Sequence, residues 1–350
     1  MTQAMHAQPA VRGPVDAAFD GLLASDHGVQ DRSSRRAPRR IGDGDAAVYG
    51  RAASSHRDRL QAGPEISGPD RDENIQSVLR YYDRTESRLG YLYLLRGTKH
   101  FGWYEAGDSG WRFSPAMRRM EHQLGRRLGL DAGSRVLDAG CGMGEVARTV
   151  AADFSLDVTG IDILDFNLDE ARRRSEKAGL TGRTRFVEGD YHDLSQFEDG
   201  AFDGAYTMET FVHAAEPERV LAEFHRVLRP GGRLVMFEYS RTPEERLEPA
   251  ARAAFDAVCE LGAMPAWHRL NHGDLENLLA SASFKVEPVE DVTARMLPML
   301  RAFAVLGRVP YATARLLGKT EKAVNAMSGV EMWKHQDAWR YNIYSATKSA

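Results

Sequence analysis

A carboxylate and an imidazole interrupt an otherwise apolar and small-residue stretch, YTMETFVHAAEP, at residues 206–217. Glu209 and His213 lie four positions apart, a spacing that places two side chains on one face of a helical turn. Burying a charged group is costly unless the group is paired or used in chemistry. Two interpretations therefore stay open: the pair braces the chain, or it moves a proton during catalysis.

A glycine-rich segment, VLDAGCGMGEVA, supplies a second set of residues suited to a site. It follows a predicted strand and opens a predicted helix, which is the context of a nucleotide-binding loop. Gly140, Gly142 and Gly144 are evenly spaced, whereas the dinucleotide pattern G-x-G-x-x-G needs its third glycine one position later. Asp138 precedes the first glycine, and an acid in this turn suits a ligand with an ammonium group better than one with a pyrophosphate.

Strands and helices alternate from this segment onward, and this alternation determines where the glycines and the acidic residues lie in the fold. The predicted strands cover residues 135–140, 157–164, 184–190, 202–209, 232–240, 284–292 and 340–348. The pattern favours an α/β fold with a mostly parallel sheet covered by helices on both faces. Ligands of such sheets bind outside the carboxyl ends of the strands, where we expect Asp138, Asp162, Asp190 and Glu209.

Four segments between residues 130 and 240 resemble, in the right order, the motifs of class I S-adenosylmethionine-dependent methyltransferases: the glycine loop, GIDIL, VEGDYHDL and VLRPGGRLVMFE. The resemblance implies a Rossmann-like fold with a seven-stranded sheet, N-terminal helices and a helical cap. It also implies S-adenosylmethionine as cofactor, with Asp162 at the ribose hydroxyls, Asp190 at the adenine amine and Tyr191 beside the ring. The cofactor-binding residues expected from it are Asp138, Gly140, Gly142, Gly144, Asp162, Ile163, Asp190 and Tyr191.

The regions around this core resemble sterol C24-methyltransferases and bacterial terpenoid or prenyl C-methyltransferases. Those enzymes share a Tyr-Tyr element, here Tyr81-Tyr82, an aromatic Gly-Trp segment, here FGWY, and a Glu and a His spaced as Glu209 and His213 are. The resemblance implies methyl addition to an alkene carbon of a prenyl or terpenoid acceptor, such as a prenyl diphosphate, through a carbocation quenched by proton loss. Glu209 would accept this proton, helped by a hydrogen bond from His213. The acceptor-binding residues expected are Tyr82, Phe101, Trp103, Tyr104 and Trp267.

Other functions stay open beside this one. The enzyme could act on a sterol, although residues 290–335 have no clear similarity to a sterol-binding tail. An O- or N-methyltransferase of natural-product biosynthesis would use Glu209 or His213 to deprotonate a hydroxyl or an amine. A regulatory cofactor-binding protein is a further alternative, and the intact set of glycines and acids argues against it. The aromatic residues could equally fill the core.

The chain divides into five predicted regions. Residues 1–72 are so poor in residues to bury that we expect an N-terminal extension without stable structure. The other regions are an N-terminal helical cap (73–130), the methyltransferase core (131–292), a helical lid insertion (293–335) and the last strand of the core (336–350). In the lid, Arg301, Arg308 and Arg315 recur every seven residues, but Pro310 argues against one continuous helix.

Composition limits the partners. The 46 Lys and Arg residues against 50 Asp and Glu residues give a net charge of −4, which does not indicate nucleic acid. Two cysteines exclude a disulfide framework, and neither a signal peptide nor a membrane-spanning apolar run is evident. We therefore expect a cytoplasmic enzyme without stable membrane insertion, which takes a small apolar or amphiphilic substrate and forms a homo-oligomer. Methyl transfer needs no metal ion, although a diphosphate acceptor would bring Mg²⁺ to its headgroup.

Overall fold

Strands and amphipathic helices alternate along the chain, and the strands form one mixed sheet. The computed structural model describes residues 71–83 and 97–349. Nearly all of the extension predicted to lack stable structure, residues 1–70, lies outside the described residues. The sheet runs in the order β3-β2-β1-β4-β5-β8-β6, and β7 pairs with β8. Its strands are β1 (Arg135–Ala139), β2 (Asp157–Asp162), β3 (Thr184–Glu188), β4 (Phe202–Met208), β5 (Leu228–Arg241), β6 (Phe284–Val286), β7 (Glu290–Asp291) and β8 (Trp339–Lys348).

The strands β1 to β5 are parallel, and β8 runs antiparallel to its neighbours β5, β6 and β7. The α/β fold with a mostly parallel sheet that the sequence predicts is thus confirmed. The strand predicted at 284–292 forms two short strands instead, which pair with separate parts of β8. Pro288 lies between them, and a proline cannot donate a hydrogen bond to the sheet ladder.

The described helices cover the sheet through apolar stripes. In α5, for example, Val220, Leu221, Phe224 and Val227 are buried at helical spacing, while Glu218, Arg219 and Ala222 are exposed. Burying one such side chain contributes about 1.5–3 kcal/mol to folding. The helices are α1 (Arg71–Asp83), α2 (Phe113–Leu128), α3 (Glu145–Asp153), α4 (Asp165–Lys177), α5 (Pro217–Val227), α6 (Pro249–Leu261), α7 (Asp274–Ser281), α8 (Thr293–Leu316) and α9 (Val324–Lys334).

Helix α8 corrects one expectation, because it continues through both Pro298 and Pro310. A proline removes the hydrogen bond to the carbonyl four residues earlier, which for Pro310 belongs to Leu306. Leu306 is exposed, so water can take the place of the missing bond. Of the helices in the described ranges, none is long and apolar enough to cross a membrane.

Candidate active site

A cavity lies at the carboxyl ends of β1 to β4 and encloses about 1000 Å³, counted with its open mouth. The loops that follow these four strands line it, together with α1 and residues 97–100. Seven of the eight predicted cofactor-binding residues belong to this wall, and the eighth, Gly144, lies at the start of α3. The sequence therefore predicts the location of the site and most of its wall on the sheet side.

The glycine loop is built around three positive φ angles, 87° at Gly140, 51° at Gly142 and 70° at Gly144, which other residues adopt only with strain. A Cβ atom at Gly140 would lie 2.7 Å from the side chain of Thr210, and one at Gly144 would lie 2.7 Å from the ring of Phe186. At Gly142 it would meet no protein atom within 4 Å, because this residue faces the cavity. Two glycines therefore allow close packing, and the third leaves its backbone open to a ligand.

Asp138 brings an almost fully buried carboxyl group to the cavity wall. Its Oδ2 atom has no hydrogen-bond partner among the described residues. Burial raises the pKa of Asp138 to about 7, against the opposing effect of the neighbouring Tyr206 hydroxyl, and the nearby charge of Asp162 adds to the rise. A ligand with an ammonium group would supply the missing partner, and the amino-acid end of S-adenosylmethionine carries one.

Asp162 holds the glycine loop against the end of β2. Its carboxylate accepts the backbone N–H of Gly142 at 2.8 Å, that of Leu164 at 2.9 Å and the side-chain amide of Asn167 at 3.2 Å. Burial raises the pKa of Asp162, and the ammonium of Lys99 opposes this rise. A ribose bound at Asp162, as predicted, would share the carboxylate with the loop that forms the site.

Asp190 and Tyr191 line the cavity after β3. Asp190 accepts the backbone N–H of His192 at 2.9 Å and its ring Nδ1–H at 2.6 Å. The other ring nitrogen of His192 accepts the N–H of Ala215 at 3.1 Å, and Tyr191 donates its hydroxyl to the carbonyl of Thr210 at 3.1 Å. The surface predicted to meet the adenine is thus tied to the loop that carries Glu209.

Glu209 combines a raised pKa with three hydrogen bonds. Its Oε1 accepts the N–H of Phe101 at 2.7 Å and the hydroxyl of Tyr341 at 2.8 Å, and its Oε2 accepts the hydroxyl of Tyr239. Burial raises the pKa of Glu209, although these hydrogen bonds oppose the rise. Its φ angle is 58°, which is uncommon outside glycine. The chain bends sharply here and presents the carboxylate to the cavity.

His213 uses both ring nitrogens away from Glu209. Its Nδ1–H donates to the carbonyl of Ala263 at 2.7 Å, and its Nε2 accepts the hydroxyl of Tyr82 at 3.1 Å. The predicted hydrogen bond between His213 and Glu209 is therefore wrong. The two residues do not share a helical turn, because the positive φ angle bends the chain at Glu209 and only a short 3₁₀ turn, Phe211–His213, follows. Burial lowers the pKa of His213 to about 4, so the ring is neutral at physiological pH.

Glu238 accepts hydrogen bonds from the backbone of the loop that follows β4. It is fully buried on β5, and its Oε1 accepts the N–H groups of Thr210 at 2.9 Å and Phe211 at 2.6 Å. Burial raises its pKa well above the usual value, and the charge of Glu209 adds to the rise. Two backbone donors that a sharp turn would leave unpaired are thereby satisfied.

Of the aromatic residues predicted to bind an acceptor, Tyr82 lines the cavity. Phe101, Trp103, Tyr104 and Trp267 are not among the described residues of its wall. The Phe101 backbone does hold Glu209, but its ring packs behind that carboxylate, 6.0 Å from Tyr341.

The other three aromatics fill space elsewhere. Trp267 stacks on Tyr239 at 5.1 Å within the buried core, and Tyr104 is buried and donates its hydroxyl to the carbonyl of Gly110. Trp103 packs under the guanidinium of Arg295 at 5.1 Å. Aromatic residues fill cores as readily as they line pockets, so the structure gives these three a packing role instead of the predicted contact.

Lys99 and Asn74 are among the residues of the cavity wall that the sequence did not predict. The ammonium of Lys99 lies 4.0 Å from the centre of the Tyr82 ring, and burial lowers its pKa to about 8. Asn74 of α1 donates its side-chain amide to the carbonyl of His213 at 2.8 Å. The one signal for Lys99 is a cation inside an aromatic-rich segment, RGTKHFGWY, and nothing in the sequence marks Asn74.

Comparison with known proteins identifies the family of this chain. Residues 137–236 match the family described as "Methyltransferase domain". The S-adenosyl-L-methionine-dependent Diels-Alderase iccD of Talaromyces variabilis is 36% identical over 78% of this chain and 95% of its own length. The sterol 24-C-methyltransferase ERG6B of Gibberella zeae is 30% identical over 80% of this chain and 72% of its own length. Among solved structures, the 4+2 cyclase SpnF matches with a TM-score of 0.59 and 27% identity, over 73% of this chain and 88% of that one.

The chain belongs to the class I S-adenosylmethionine-dependent methyltransferases, in the group that includes sterol C24-methyltransferases and S-adenosylmethionine-dependent Diels-Alderases. It is an S-adenosylmethionine-dependent enzyme of this family. Two features of the cavity fit the cofactor independently of these comparisons. Gly142 leaves the backbone of the loop open to a ligand, and a buried oxygen of Asp138 lacks the partner that an ammonium group would supply. The described residues contain no group of three or more His, Cys, Asp or Glu side chains placed to hold a metal ion.

Proposed function

We propose that the enzyme methylates an alkene carbon of an apolar, terpenoid-like acceptor and that Glu209 removes the proton lost afterwards. The observation that carries this proposal is the Glu209 carboxylate, which two tyrosine hydroxyls and one N–H hold at the wall of the cofactor cavity. When bound, S-adenosylmethionine supplies a methyl group on a positively charged sulfur. Asp138, Gly142, Asp162 and Tyr191 would hold it.

The chemistry of an alkene acceptor gives Glu209 two tasks. The π electrons form the new carbon–carbon bond, a neighbouring carbon becomes cationic, and loss of a C–H proton restores the double bond. A negative carboxylate stabilises such a cation strongly in a cavity that excludes water. It can then take the proton, and a raised pKa makes it a better base than an ordinary glutamate.

The hydrogen bonds of Glu209 leave room for this proton. A carboxylate offers about four lone-pair sites, and the described contacts use two on Oε1 and one on Oε2. The remaining site on Oε2 is the one to which we assign the proton. Tyr239 and Tyr341 fix the orientation of the group, which a mobile glutamate would lack.

The wall around Glu209 favours an apolar acceptor. Ile75 and Val78 of α1 line the cavity together with Met208. Lys99 is the one lysine or arginine in the described part of this wall, and it already faces Asp162 and Tyr82. A terpenoid or prenyl chain without a diphosphate therefore fits better than a prenyl diphosphate. If a diphosphate is accepted, Mg²⁺ would have to accompany it.

Cyclisation without methyl transfer is a second candidate function. One of the relatives and one of the solved structures reported above are cyclases by name, the Diels-Alderase iccD and SpnF. The three donors around Glu209 also favour it, because a hydrogen-bonded carboxylate can orient an acceptor without taking a proton. In this case the cofactor would shape the cavity and remain unchanged.

The two candidates separate in one assay with cofactor labelled in its methyl group. The acceptors are farnesol, geranyl and farnesyl diphosphate with and without Mg²⁺, a sterol with a side-chain alkene, a phenol, and a linear polyene with a diene and an alkene. We expect label on carbon of an apolar alkene, detected by mass spectrometry. Label only on oxygen or nitrogen would refute the carbocation mechanism. An unlabelled cyclic product from the polyene would establish the second candidate instead.

Glu209→Gln tests the role of the base. We expect it to lower the methylation rate at least a hundredfold, within the range attributed to a general base, and to leave the cofactor affinity nearly unchanged. Glu198→Gln, at an exposed position, is the matched control and should behave as the native enzyme. A large loss of cofactor affinity in Glu209→Gln would show that Glu209 is structural.

A further inference from the structure

The outer surface of α8 carries an unusual concentration of exposed apolar side chains. Of the six large apolar side chains that are exposed in the described part of the chain, five lie between residues 305 and 317. We call them the α8 face: Val305, Leu306, Val309, Leu316 and Leu317. Val309, Leu316 and Leu317 expose 74%, 86% and 62% of their surface. The sixth, Trp111, shares a groove with Val305 and so extends the same surface.

The α8 face lies opposite the buried side of its own helix. Val305, Val309 and Leu316 follow helical spacing and form one stripe. Met296, Met299 and Leu300 of the same helix are buried against the protein. The helix is therefore apolar on two opposite sides, and an exposed apolar stripe of this size normally marks a surface that something else covers.

The charge of α8 indicates the kind of surface that covers it. The helix contains four arginines and no acidic residue, although the whole chain has a net charge of −4. Arg295 is paired with Glu105 at 2.7 Å. Arg301, Arg308 and Arg315 are exposed and recur every seven residues, so they form a basic stripe along one side of the apolar stripe.

We propose that the α8 face docks on an anionic phospholipid surface, with its apolar side chains in the interface and its arginines at the headgroups. This combination of an apolar stripe, a basic flank and a neighbouring tryptophan is what interfacial helices require. Docking of this kind differs from spanning. A second copy of this chain fits less well, because a two-fold axis would bring basic stripes of the same sequence close together.

The inner side of α8 connects this face to the candidate site. Phe303 packs on the ring of Phe101 at 6.0 Å, and the Sδ atom of Met299 accepts the N–H of Gly102 at 3.2 Å. The same segment holds Glu209 through the Phe101 N–H. A docked α8 would thus place the segment beside Glu209 near a bilayer, where apolar acceptors are concentrated. The docking itself does not depend on the proposed reaction.

Co-sedimentation of the full chain with vesicles tests the proposal. The vesicles are phosphatidylcholine alone or phosphatidylcholine mixed with phosphatidylglycerol. We expect binding to the anionic vesicles at least tenfold stronger than to the neutral ones, because each arginine at an anionic surface adds to the affinity. High salt should weaken it, since it screens charges beyond a few ångströms. Equal or absent binding to both vesicles would overturn the proposal.

Two variants assign the binding to the α8 face. Val309→Ser/Leu316→Ser removes exposed apolar surface, and we expect it to reduce vesicle binding about tenfold or more while leaving the melting temperature nearly unchanged. Arg308→Gln/Arg315→Gln should remove the preference for anionic lipid. Arg173→Gln/Arg252→Gln removes the same charge from exposed positions elsewhere and should bind as the native chain does.

The variants also distinguish the competing occupant. If the native chain dimerises in sedimentation velocity, ignores vesicles, and becomes monomeric as Val309→Ser/Leu316→Ser, the face is a dimer interface and the proposal is wrong. Unchanged vesicle binding by both α8 variants would place the lipid contact elsewhere and contradict it equally.

Discussion

Replacing Asp138 with asparagine should stabilise the protein and weaken its cofactor site at the same time. The native carboxyl is almost fully buried, its Oδ2 atom lacks a partner among the described residues, and burial raises its pKa to about 7 from an ordinary value of 3.8. Asparagine has nearly the same shape and no charge. The substitution therefore isolates the effect of the negative charge.

The size and sign of the stability effect follow from this pKa. An acid whose pKa is raised by folding causes no loss of stability below its unfolded-state pKa and the full loss above its folded-state pKa. A rise of about 3 units corresponds to at most about 4 kcal/mol, developed between roughly pH 4 and pH 7. Because the buried amide is also imperfectly bonded, we expect about 1–3 kcal/mol of net stabilisation at pH 8. This is a melting temperature higher by roughly 2–5 °C, with little difference at pH 4.5.

The same charge should control cofactor affinity. If only the ionised form of Asp138 binds the ammonium of the cofactor, the affinity of the native protein falls about elevenfold from its limiting value at pH 6, where about one molecule in eleven is ionised. Below that, it should fall about tenfold per pH unit. Asp138→Asn should bind weakly and lack this dependence between pH 5.5 and 7.5.

Calorimetric titration with S-adenosylhomocysteine and thermal unfolding without ligand measure the two effects on the same samples. Asp169→Asn, at a highly exposed carboxylate, is the control and should change neither. A variant at Asp138 that is less stable than the native protein at pH 8, or that binds the cofactor equally well, would refute the reasoning from an unpartnered buried carboxyl.

Three further predictions address the rest of the site. Asp162→Ala should weaken cofactor binding at least tenfold, because it removes the acceptor that holds the Gly142 N–H, and unchanged affinity in titration calorimetry would remove Asp162 from the site. Gly140→Ala should lower the free energy of unfolding by about 1–3 kcal/mol, because its Cβ atom would lie 2.7 Å from Thr210 at a φ of 87°. The melting temperature and the cofactor affinity should both fall, and a native melting curve would contradict the loop geometry. His213 should be neutral throughout the working range, because burial lowers its pKa to about 4. The imidazole NMR signals of His213 should therefore not titrate between pH 5.5 and 8, and Tyr82→Phe should not introduce such a titration.

The sheet side of the site can be predicted from the sequence because its determinants are local. A strand, a glycine turn and a helix follow one another in the chain, so Gly140 and Asp138 are placed by their own neighbours. Asp162 and Asp190 follow from the same rule, since parallel strands end at one edge of the sheet. None of these assignments needs knowledge of which strands pair.

The partners of Glu209 could not be predicted, because they depend on the register of strands that are far apart in sequence. Tyr239 and Tyr341 are direct partners in the antiparallel pair β5 and β8, and both hydroxyls reach Glu209. A shift of β8 by one residue would turn Tyr341 to the other face of the sheet, away from Glu209. The spacing of Glu209 and His213 was misleading because the prediction assumed a regular helical turn between them. The chain instead bends at Glu209 and forms a short 3₁₀ turn.

This dependence on register explains how a strained residue can be kept at the site. A positive φ at Glu209 costs on the order of 1–3 kcal/mol and persists only where the surroundings enforce it. Here Glu238 accepts the two N–H groups that follow the bend, while β5, β8 and the Phe101 segment each supply a donor to the carboxylate. The donors come together only when β8 has paired with β5 and the Phe101 segment has packed on α8. The candidate base is therefore assembled by the completed fold, whereas the cofactor loop is set by local sequence.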